Sequence, residues 1–228
     1  MTSAKQITVL LVEDHVVMRQ GLSALLNIDG QFEVAGEART GREAVALAEM
    51  LKPDVILMDI ALPVLNGLEA TRQILDANPA AKIVVLSAHS DDAYVERMNE
   101  AGVRGFLEKQ SSADILCKAI IEVAQGKTFF SPVIARRLQE SQHRRCGRDG
   151  QPMATAARLT ARESEVLQLV AEGAANKQVA SELGISIKTV EKHRQHLMDK
   201  LNIHETAGLT RYAIAAGVIE GRVQLEII

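Results

Sequence analysis

The chain has 228 residues, of which 47% are hydrophobic and 24% charged; these are ordinary values for a globular protein and exclude a disordered chain, a collagen or a mucin-like stalk. Its two cysteines, Cys117 and Cys146, are too few for a disulfide scaffold or a thiolate zinc site. The net charge of −3 is unevenly divided, because residues 1–125 hold 11 Lys and Arg against 18 Asp and Glu, and residues 126–228 hold 15 against 11.

No run approaches the roughly 20 consecutive apolar residues that a membrane span needs. Residues 1–6 contain no basic stretch leading into a long apolar region, so we expect no signal peptide and a cytoplasmic location. The basic C-terminal half is the part of the chain that could bind nucleic acid.

Strand and helix patterns alternate through the first 125 residues. The continuous apolar run Ile7–Val12 predicts a strand buried on both faces. Similar patterns predict strands at Val34–Gly36, Val55–Met58, Ile83–Leu86 and Arg104–Leu107. Helical periodicity predicts helices at Val16–Leu26, Arg42–Leu51, Leu68–Ala77, Ala93–Ala101 and Ala113–Ala124. This order predicts a doubly wound α/β fold with a parallel five-stranded sheet.

Polar residues follow the ends of four of these strands. They are Glu13 and Asp14, then Asp59, Ser87 and Lys109. Because sites in such sheets form beyond the carboxyl ends of the strands, we expect these side chains to converge. Crowded carboxylates need a cation, and oxygen ligands without Cys or His favour Mg²⁺ over zinc. A carboxylate beside Mg²⁺ and a lysine is equipped to attack phosphorus.

The same segments carry a family resemblance. Their order and spacing resemble the receiver domain of response regulators across about the first 125 residues. The matching segments are VEDH at 12–15, MDIALP at 58–63 with Asn66-Gly67, LSA at 86–88 and GFLEK at 105–109. Gln110 departs from the pattern, since many receivers carry a proline there, and this concerns only the start of the last helix.

The resemblance implies a role for each polar residue. Asp59 would accept a phosphoryl group, and Lys109 would contact that group. Ser87 would hydrogen-bond it once attached, and Phe106 would be the switch aromatic that turns inward. The implied Mg²⁺ ligands are Glu13, Asp14, Asp59 and the backbone carbonyl of Ala61. We interpret His15 and His89 as solvated or capping residues.

Two alternative functions come from other classes of protein: a phosphatase that acts on small molecules, and a protein that acts by binding alone. In phosphatases with an aspartyl nucleophile, a second Asp lies two positions after the nucleophile and serves as the acid. This chain has Ala61 at that position, which counts against a phosphatase. A receiver-fold protein could also act by binding alone, without phosphorylation, but the intact acidic cluster argues against that alternative.

From about residue 126 the alternation stops. Ser131-Pro132 predicts a short helix to about Glu140. Residues 142–157 are polar, small and rich in glycine, with a cluster of arginines at 144, 145 and 148, which is typical of a linker.

Helix signals return at Leu159. Thr160 and Glu163 fit a capping box for a first helix. Asn176 can cap a second helix, Lys177–Leu183, which Gly184 ends in the left-handed conformation. A third helix starts after Ser186 and runs to about Leu201, and a fourth spans Glu205 to about Ala216. Two short helices joined through Gly184 predict a helix-turn-helix unit.

The third helix is basic on its exposed side, and such a helix fits the major groove of DNA. The segment Leu159–Ile219 resembles the LuxR-type helix-turn-helix domain through LTARE, NKQVASELGIS and KTVEKHRQHLMDKL. This resemblance implies that the third helix recognises DNA and that the fourth mediates dimerisation. The predicted DNA contacts are Lys188, Thr189, Lys192, His193 and Arg194. A protein-binding helix-turn-helix module is the alternative.

Together the two resemblances are to the NarL/FixJ class of two-component response regulators. We predict a receiver domain at 1–125, a linker with a short helix at 126–157 and a DNA-binding domain at 158–228. In this class a partner histidine kinase phosphorylates the receiver, which then dimerises and binds double-stranded promoter DNA to change transcription. RNA polymerase is a further candidate partner. We expect neither enzymatic turnover beyond slow autodephosphorylation nor contact with a membrane.

Overall fold

The computed structural model describes residues 5–28, 30–88, 92–136, 138 and 159–219, without the side chains of 92–94. The chain forms two compact units, the first built on a sheet and the second on four helices. The predicted linker arginines, Cys146, His89 and the end of the predicted short helix lie outside the described residues. Within the described part of the chain, no helix is both long enough and apolar enough for a membrane crossing.

The first unit is a parallel sheet flanked by helices. Its strands are β1 (Ile7–Val12), β2 (Phe32–Ala38), β3 (Val55–Asp59), β4 (Ile83–Ser87), β5 (Gly105–Glu108) and β6 (Phe129–Phe130). They lie in the order β2-β1-β3-β4-β5-β6, and every pairing is parallel. The helices are α1 (Val16–Ile28), α2 (Gly41–Leu51), α3 (Gly67–Ala77), α4 (Asp92–Ala101) and α5 (Ala113–Ala124). The predicted doubly wound α/β fold is confirmed.

The sheet has one strand more than the five that the sequence predicts. Phe129 and Phe130 pair with Gly105 and Phe106 of β5, and the Ser131 N–H donates to the Phe106 carbonyl at 3.3 Å. Two residues are too short a run for a periodic pattern, so the sequence gives no strand signal in what reads as a linker. The added strand satisfies backbone groups that β5 would otherwise leave open at a sheet edge.

The strands of the centre are buried on both faces. Val9 to Leu11, Val55, Leu57 and Val84 have no exposed surface, which explains why their sequences are continuous apolar runs. Buried residues of α5, such as Ala119 and Ile120, pack against one face of this core. The polar residues that follow each strand therefore stand on a rigid, close-packed base.

The second unit contains α6 (Ala161–Ala171), α7 (Asn176–Leu183), α8 (Ile187–Leu201) and α9 (Thr206–Ala215). The predicted capping box of Thr160 and Glu163 is confirmed, and so is the left-handed Gly184, with φ 63°. The Ser186 hydroxyl accepts from the Thr189 N–H at 3.1 Å and caps α8 as predicted. The expected cap of α7 is wrong, because Ala175 holds the N-cap position and Asn176 is the first helical residue.

Candidate functional site

The carboxyl ends of β1, β3 and β5 bring two carboxylates and an ammonium together. Lys109 Nζ lies 2.8 Å from Glu13 Oε2 and 2.8 Å from Asp59 Oδ2. Glu13 and Asp59 are each only 1% exposed. The Lys109 N–H donates to the Ser87 carbonyl at 2.8 Å, which ties the end of β4 to the same place. We call Glu13, Asp14, Asp59 and Lys109 the acidic pocket.

The acidic pocket has the donors that a hard divalent cation requires. One ligand atom from each of Glu13, Asp14, His15 and Asp59 lies within 4.8 Å of the others. Three of these oxygens are buried, and each lies 2.8 Å from a basic nitrogen: Glu13 Oε2 and Asp59 Oδ2 from Lys109 Nζ, and Asp14 Oδ1 from His15 Nδ1. Glu13 and Asp59 are buried and Asp14 is partly buried, and the single ammonium of Lys109 balances only one of their three charges, so a further cation would stabilise the cluster. Carboxylate oxygens of this kind suit Mg²⁺, and the residues present therefore fit the predicted ion.

Burial and charge set the protonation of the pocket. Burial raises the pKa of the Asp59 carboxyl above its ordinary value, and the negative charge of Glu13 acts in the same direction, while Lys109 opposes both. Burial acts to lower the pKa of Lys109, but the contacts with Asp59 and Glu13 outweigh it, and the pKa is raised. Lys109 therefore carries its positive charge at neutral pH, next to a carboxylate whose ionisation is costly.

The neighbouring strand positions place Ser87 and Phe106. Asp59 pairs with Leu86, and Ser87 is the next residue of β4, 5% exposed. Phe106 is fully buried, which is already the inward orientation that the family resemblance assigns to a switched state. The phosphoryl contact of Ser87 and the switch role of Phe106 stay predictions. The same holds for the Ala61 carbonyl as a ligand, although the Ala61 N–H faces Asp59 Oδ1 at 3.4 Å.

Two nitrogen-bearing side chains lie beside the pocket in contacts that the sequence did not predict. His15 is half-exposed, and its Nδ1 lies 2.8 Å from Asp14 Oδ1 and 3.1 Å from Glu13 Oε1, so its ring contacts both carboxylates as well as solvent. Arg19 is 3% exposed and donates from Nη1 to the Glu13 carbonyl at 2.8 Å. The run VEDH holds the signal for His15, whereas nothing in the pattern of α1 marks Arg19 as buried.

In the helical unit, some of the predicted DNA-contact residues of α8 are exposed, whereas Arg194 makes hydrogen bonds within the unit. Lys188 and Lys192 are exposed and make no ion pair with another described residue. Thr189 and His193 are partly buried, and the Thr189 hydroxyl is 2.8 Å from that of Ser186. Arg194 is partly buried and donates to Asn176 Oδ1 at 2.8 Å and to Thr206 Oγ1 at 3.1 Å.

One ion pair fixes α8 against α6, and a hydrogen bond fixes α6 against α7. Lys200 Nζ lies 2.6 Å from Glu163 Oε2, which joins the end of α8 to the start of α6. Lys200 and the N–H of Thr160 outweigh the effect of burial, so the pKa of Glu163 is lowered. Arg162 donates to the Leu183 carbonyl at 2.8 Å and so ties α6 to the end of α7. Lys188 and Lys192 thus project from a helix that contacts α6, α7 and α9 through other side chains.

Two sequence families match the chain. The family described as response regulator receiver domain matches residues 9–121, and the one described as bacterial regulatory proteins, luxR family, matches residues 157–213. The transcriptional regulatory protein DegU of Brevibacillus brevis is 34% identical over 228 residues, covering 95% of this chain and 97% of DegU.

Solved structures give the same likeness. A LuxR-family two-component response regulator from Aurantimonas sp. SI85-9A1 is 32% identical with a TM-score of 0.58, covering 61% of this chain and 99% of that one. RcsB of Salmonella typhimurium, in a structure described as showing conformational dynamism for DNA interaction, is 25% identical with a TM-score of 0.56 and covers 93% of this chain and 100% of its own. The sequence matches cover both the α/β unit and the helical unit.

Proposed function

Because the chain belongs to the response regulators that combine a receiver domain with a LuxR-type DNA-binding domain, we propose that phosphorylation of Asp59 controls the binding of α8 to DNA and thereby transcription. The observation that carries the proposal is the acidic pocket, in which the Lys109 ammonium lies 2.8 Å from the Asp59 carboxylate. The domain boundaries that we propose are 1–125 for the receiver, 126–157 for the linker and 158–228 for the DNA-binding domain.

The chemistry is a phosphoryl transfer to a carboxylate. An Asp59 oxygen attacks phosphorus in the phosphohistidine of a partner kinase, or in acetyl phosphate, and an O–P bond forms. The P–N or P–O bond to the leaving group breaks, and its electron pair stays with the imidazole, which takes up a proton, or with acetate. The Lys109 ammonium would stabilise the charge on the phosphoryl oxygens.

The same pocket gives Mg²⁺ its place in this proposal. Glu13, Asp14, Asp59 and the Ala61 carbonyl would hold the ion, which when bound neutralises phosphoryl charge and lets the donor approach the acidic pocket. The chain's own contribution is a rigid, buried arrangement of carboxylates around a fixed ammonium. Position 61 is an alanine and cannot act as a general acid, which disfavours catalytic phosphatase activity.

Phosphorylation would act by shifting a conformational equilibrium. The attached group would draw the Ser87 hydroxyl towards it and favour the buried position that Phe106 already holds on the adjacent strand. Both changes would bias the receiver towards an active surface. Dimerisation through α9 would then place two copies of α8 on two half-sites of promoter DNA. Exposed Lys188 and Lys192 support the contact with DNA, because free ammonium groups can neutralise phosphates or reach guanine edges.

A labelling experiment tests the phosphoacceptor. The full chain is incubated with radiolabelled acetyl phosphate, with Mg²⁺ or with EDTA, and the bound label is counted. We expect Mg²⁺-dependent label in the wild type and in Asp76→Asn, whose carboxylate lies exposed on α3, and none in Asp59→Asn. Undiminished Mg²⁺-dependent label in Asp59→Asn would refute the assignment.

A further inference from the structure

Arg19 is a buried cation that takes no part in the phosphoryl transfer proposed above. It lies in the first turn of α1 and is 3% exposed. Burying a guanidinium is unfavourable unless all sides of it are paired. Its position next to the acidic pocket therefore calls for a physical reason.

The guanidinium of Arg19 joins a strand to a loop. Nη1 donates to the Glu13 carbonyl at 2.8 Å and, more weakly, to the Asp14 carbonyl at 3.4 Å. Nε donates to Glu37 Oε2 on β2 at 3.1 Å. Charge-assisted hydrogen bonds of this kind are the stronger class. The loop between β1 and α1 is thereby fastened to β2 through one side chain.

The carbonyls that Arg19 holds belong to the two residues whose carboxylates enter the acidic pocket from this loop. The Glu13 N–H is held separately, by the Ala38 carbonyl at 3.0 Å. The peptide groups around Glu13 are thus fixed on the N–H side by β2 and on the carbonyl side by Arg19. A loop without such anchors samples many conformations, and each would spread the carboxylates apart.

We propose that Arg19 is a positioning residue for the divalent cation: it orders the backbone of Glu13 and Asp14 so that their carboxylates converge with that of Asp59. This inference rests on the proposed function, since it takes the acidic pocket to be a cation site. The partner carboxylate of Glu37 offsets the positive charge of Arg19. Arg19 therefore favours cation binding by ordering the loop, whereas its positive charge weakly repels the cation.

Because these two effects on cation binding have opposite signs, Arg19→Met shows which of them is larger. Removing the positive charge favours a bound cation by electrostatics alone, whereas losing the hold on the loop weakens binding. We expect the second effect to win, with the Kd for Mg²⁺ rising about tenfold or more, the usual range for residues that orient metal ligands. The Kd is measured by calorimetry with MgCl₂ and checked with Mn²⁺ by electron paramagnetic resonance.

Two variants separate positioning from general effects. Arg104→Met removes the same charge at an exposed site directly before β5, and we expect its Kd to match the wild type. Arg19→Lys keeps the charge but has a single ammonium for both Glu37 and the Glu13 carbonyl, so its Kd should fall between those of wild type and Arg19→Met. This variant also stands in if Arg19→Met does not fold.

A thermal measurement distinguishes positioning from plain stability. A purely structural Arg19 would lower Tm equally in EDTA and in Mg²⁺, whereas a positioning residue shrinks the increase in Tm that Mg²⁺ produces. Unchanged Mg²⁺ affinity in Arg19→Met, or in Arg19→Lys where the first is unfolded, would overturn the inference. Failure of the wild type to bind Mg²⁺ would instead overturn the proposed cation site, and this inference with it.

Discussion

Gly67 lies directly against the backbone of Asp59: a Cβ at residue 67 would fall 2.0 Å from the Asp59 carbonyl oxygen and 2.9 Å from Ile60 Cα. The Gly67 N–H also donates to the Ile60 carbonyl at 2.9 Å. The first residue of α3 is therefore in contact with the end of the strand that carries the proposed phosphoacceptor. No side chain fits there unless the helix and the strand move apart.

Gly67→Ala should therefore impair both folding and phosphorylation. The clash is with backbone atoms, so relief requires a shift of β3 or α3, and we expect a loss of about 1–3 kcal/mol in the free energy of unfolding. Denaturant unfolding measures the loss, and acetyl phosphate labelling should fall with it. The control is Gly21→Ala in α1, where nothing lies within 4 Å of the added Cβ; this change should stabilise by about 0.5–1 kcal/mol. Equal stability of Gly67→Ala and wild type would contradict the packing described.

Asp59→Asn should stabilise the cation-free protein at neutral pH. Because the pKa of Asp59 is raised in the folded state, the folded protein binds more protons than the unfolded chain once the pH exceeds the ordinary carboxyl value, and stability falls as the pH rises through the raised value. The variant escapes this loss, so in EDTA its Tm should exceed that of the wild type at pH 7, and the difference should close as the pH falls below about 4.

The order of stability should reverse when Mg²⁺ is added, because the wild type keeps all three carboxylates. Asp76→Asn, an exposed change on α3, serves as the control and should stay within about 0.5 kcal/mol of the wild type. A lower Tm for Asp59→Asn than for wild type in EDTA at pH 7 would show that ionisation of the buried Asp59 carboxylate does not destabilise the folded protein.

Glu163→Gln should destabilise the helical unit in a pH-dependent way. The pKa of Glu163 is lowered in the folded state, so its contribution is present above its ordinary carboxyl pKa and is lost as the pH falls through the lowered value. The capping contacts and the Lys200 contact at 2.6 Å lead us to expect a loss of about 1 kcal/mol at pH 7. Glu191→Gln, exposed on α8, is the control. A loss of the same size at pH 3 and pH 7 would rule out the charge as its origin.

Substitutions of Lys192 and Arg194 should have different effects, although the two residues are only two positions apart on α8: the first on DNA binding and the second on stability. Lys192→Ala should leave stability within about 0.5 kcal/mol of the wild type. It should weaken binding to duplex DNA and reduce the slope of log K against log salt by about 1.

Arg194→Ala should instead lose about 1–3 kcal/mol of stability, because two hydrogen bonds from a charged donor disappear, to Asn176 and Thr206. Thermal unfolding and fluorescence anisotropy with a duplex selected from a randomised pool measure both effects. The reverse pattern, with a destabilised Lys192→Ala and an unaffected Arg194→Ala, would contradict the arrangement of α8.

The sequence predicts best where one local pattern decides the structure. Ile7–Val12 and Ala113–Ala124 have the bounds that their patterns predict, since an uninterrupted apolar run and an amphipathic periodicity are each visible in a single local segment. The acidic pocket was also predictable, because parallel strands bring their carboxyl ends to one edge. Long side chains that reach across elements leave no local trace. Arg19 and Arg194 both look like surface cations in a helical pattern, yet each ends in hydrogen bonds to a different element.

Phosphorylation of Asp59 is proposed to control DNA binding by α8, and DNA affinity measured with and without phosphodonor tests this coupling most directly. Anisotropy titrations with the selected duplex are run on wild type and Asp59→Asn, each with Mg²⁺ and with or without acetyl phosphate. We expect the phosphodonor to tighten wild-type binding by about 5–150-fold, the usual range of coupling between two sites, and to leave Asp59→Asn unchanged. Identical isotherms for the wild type under both conditions, with Asp59 shown to be labelled, would contradict the account.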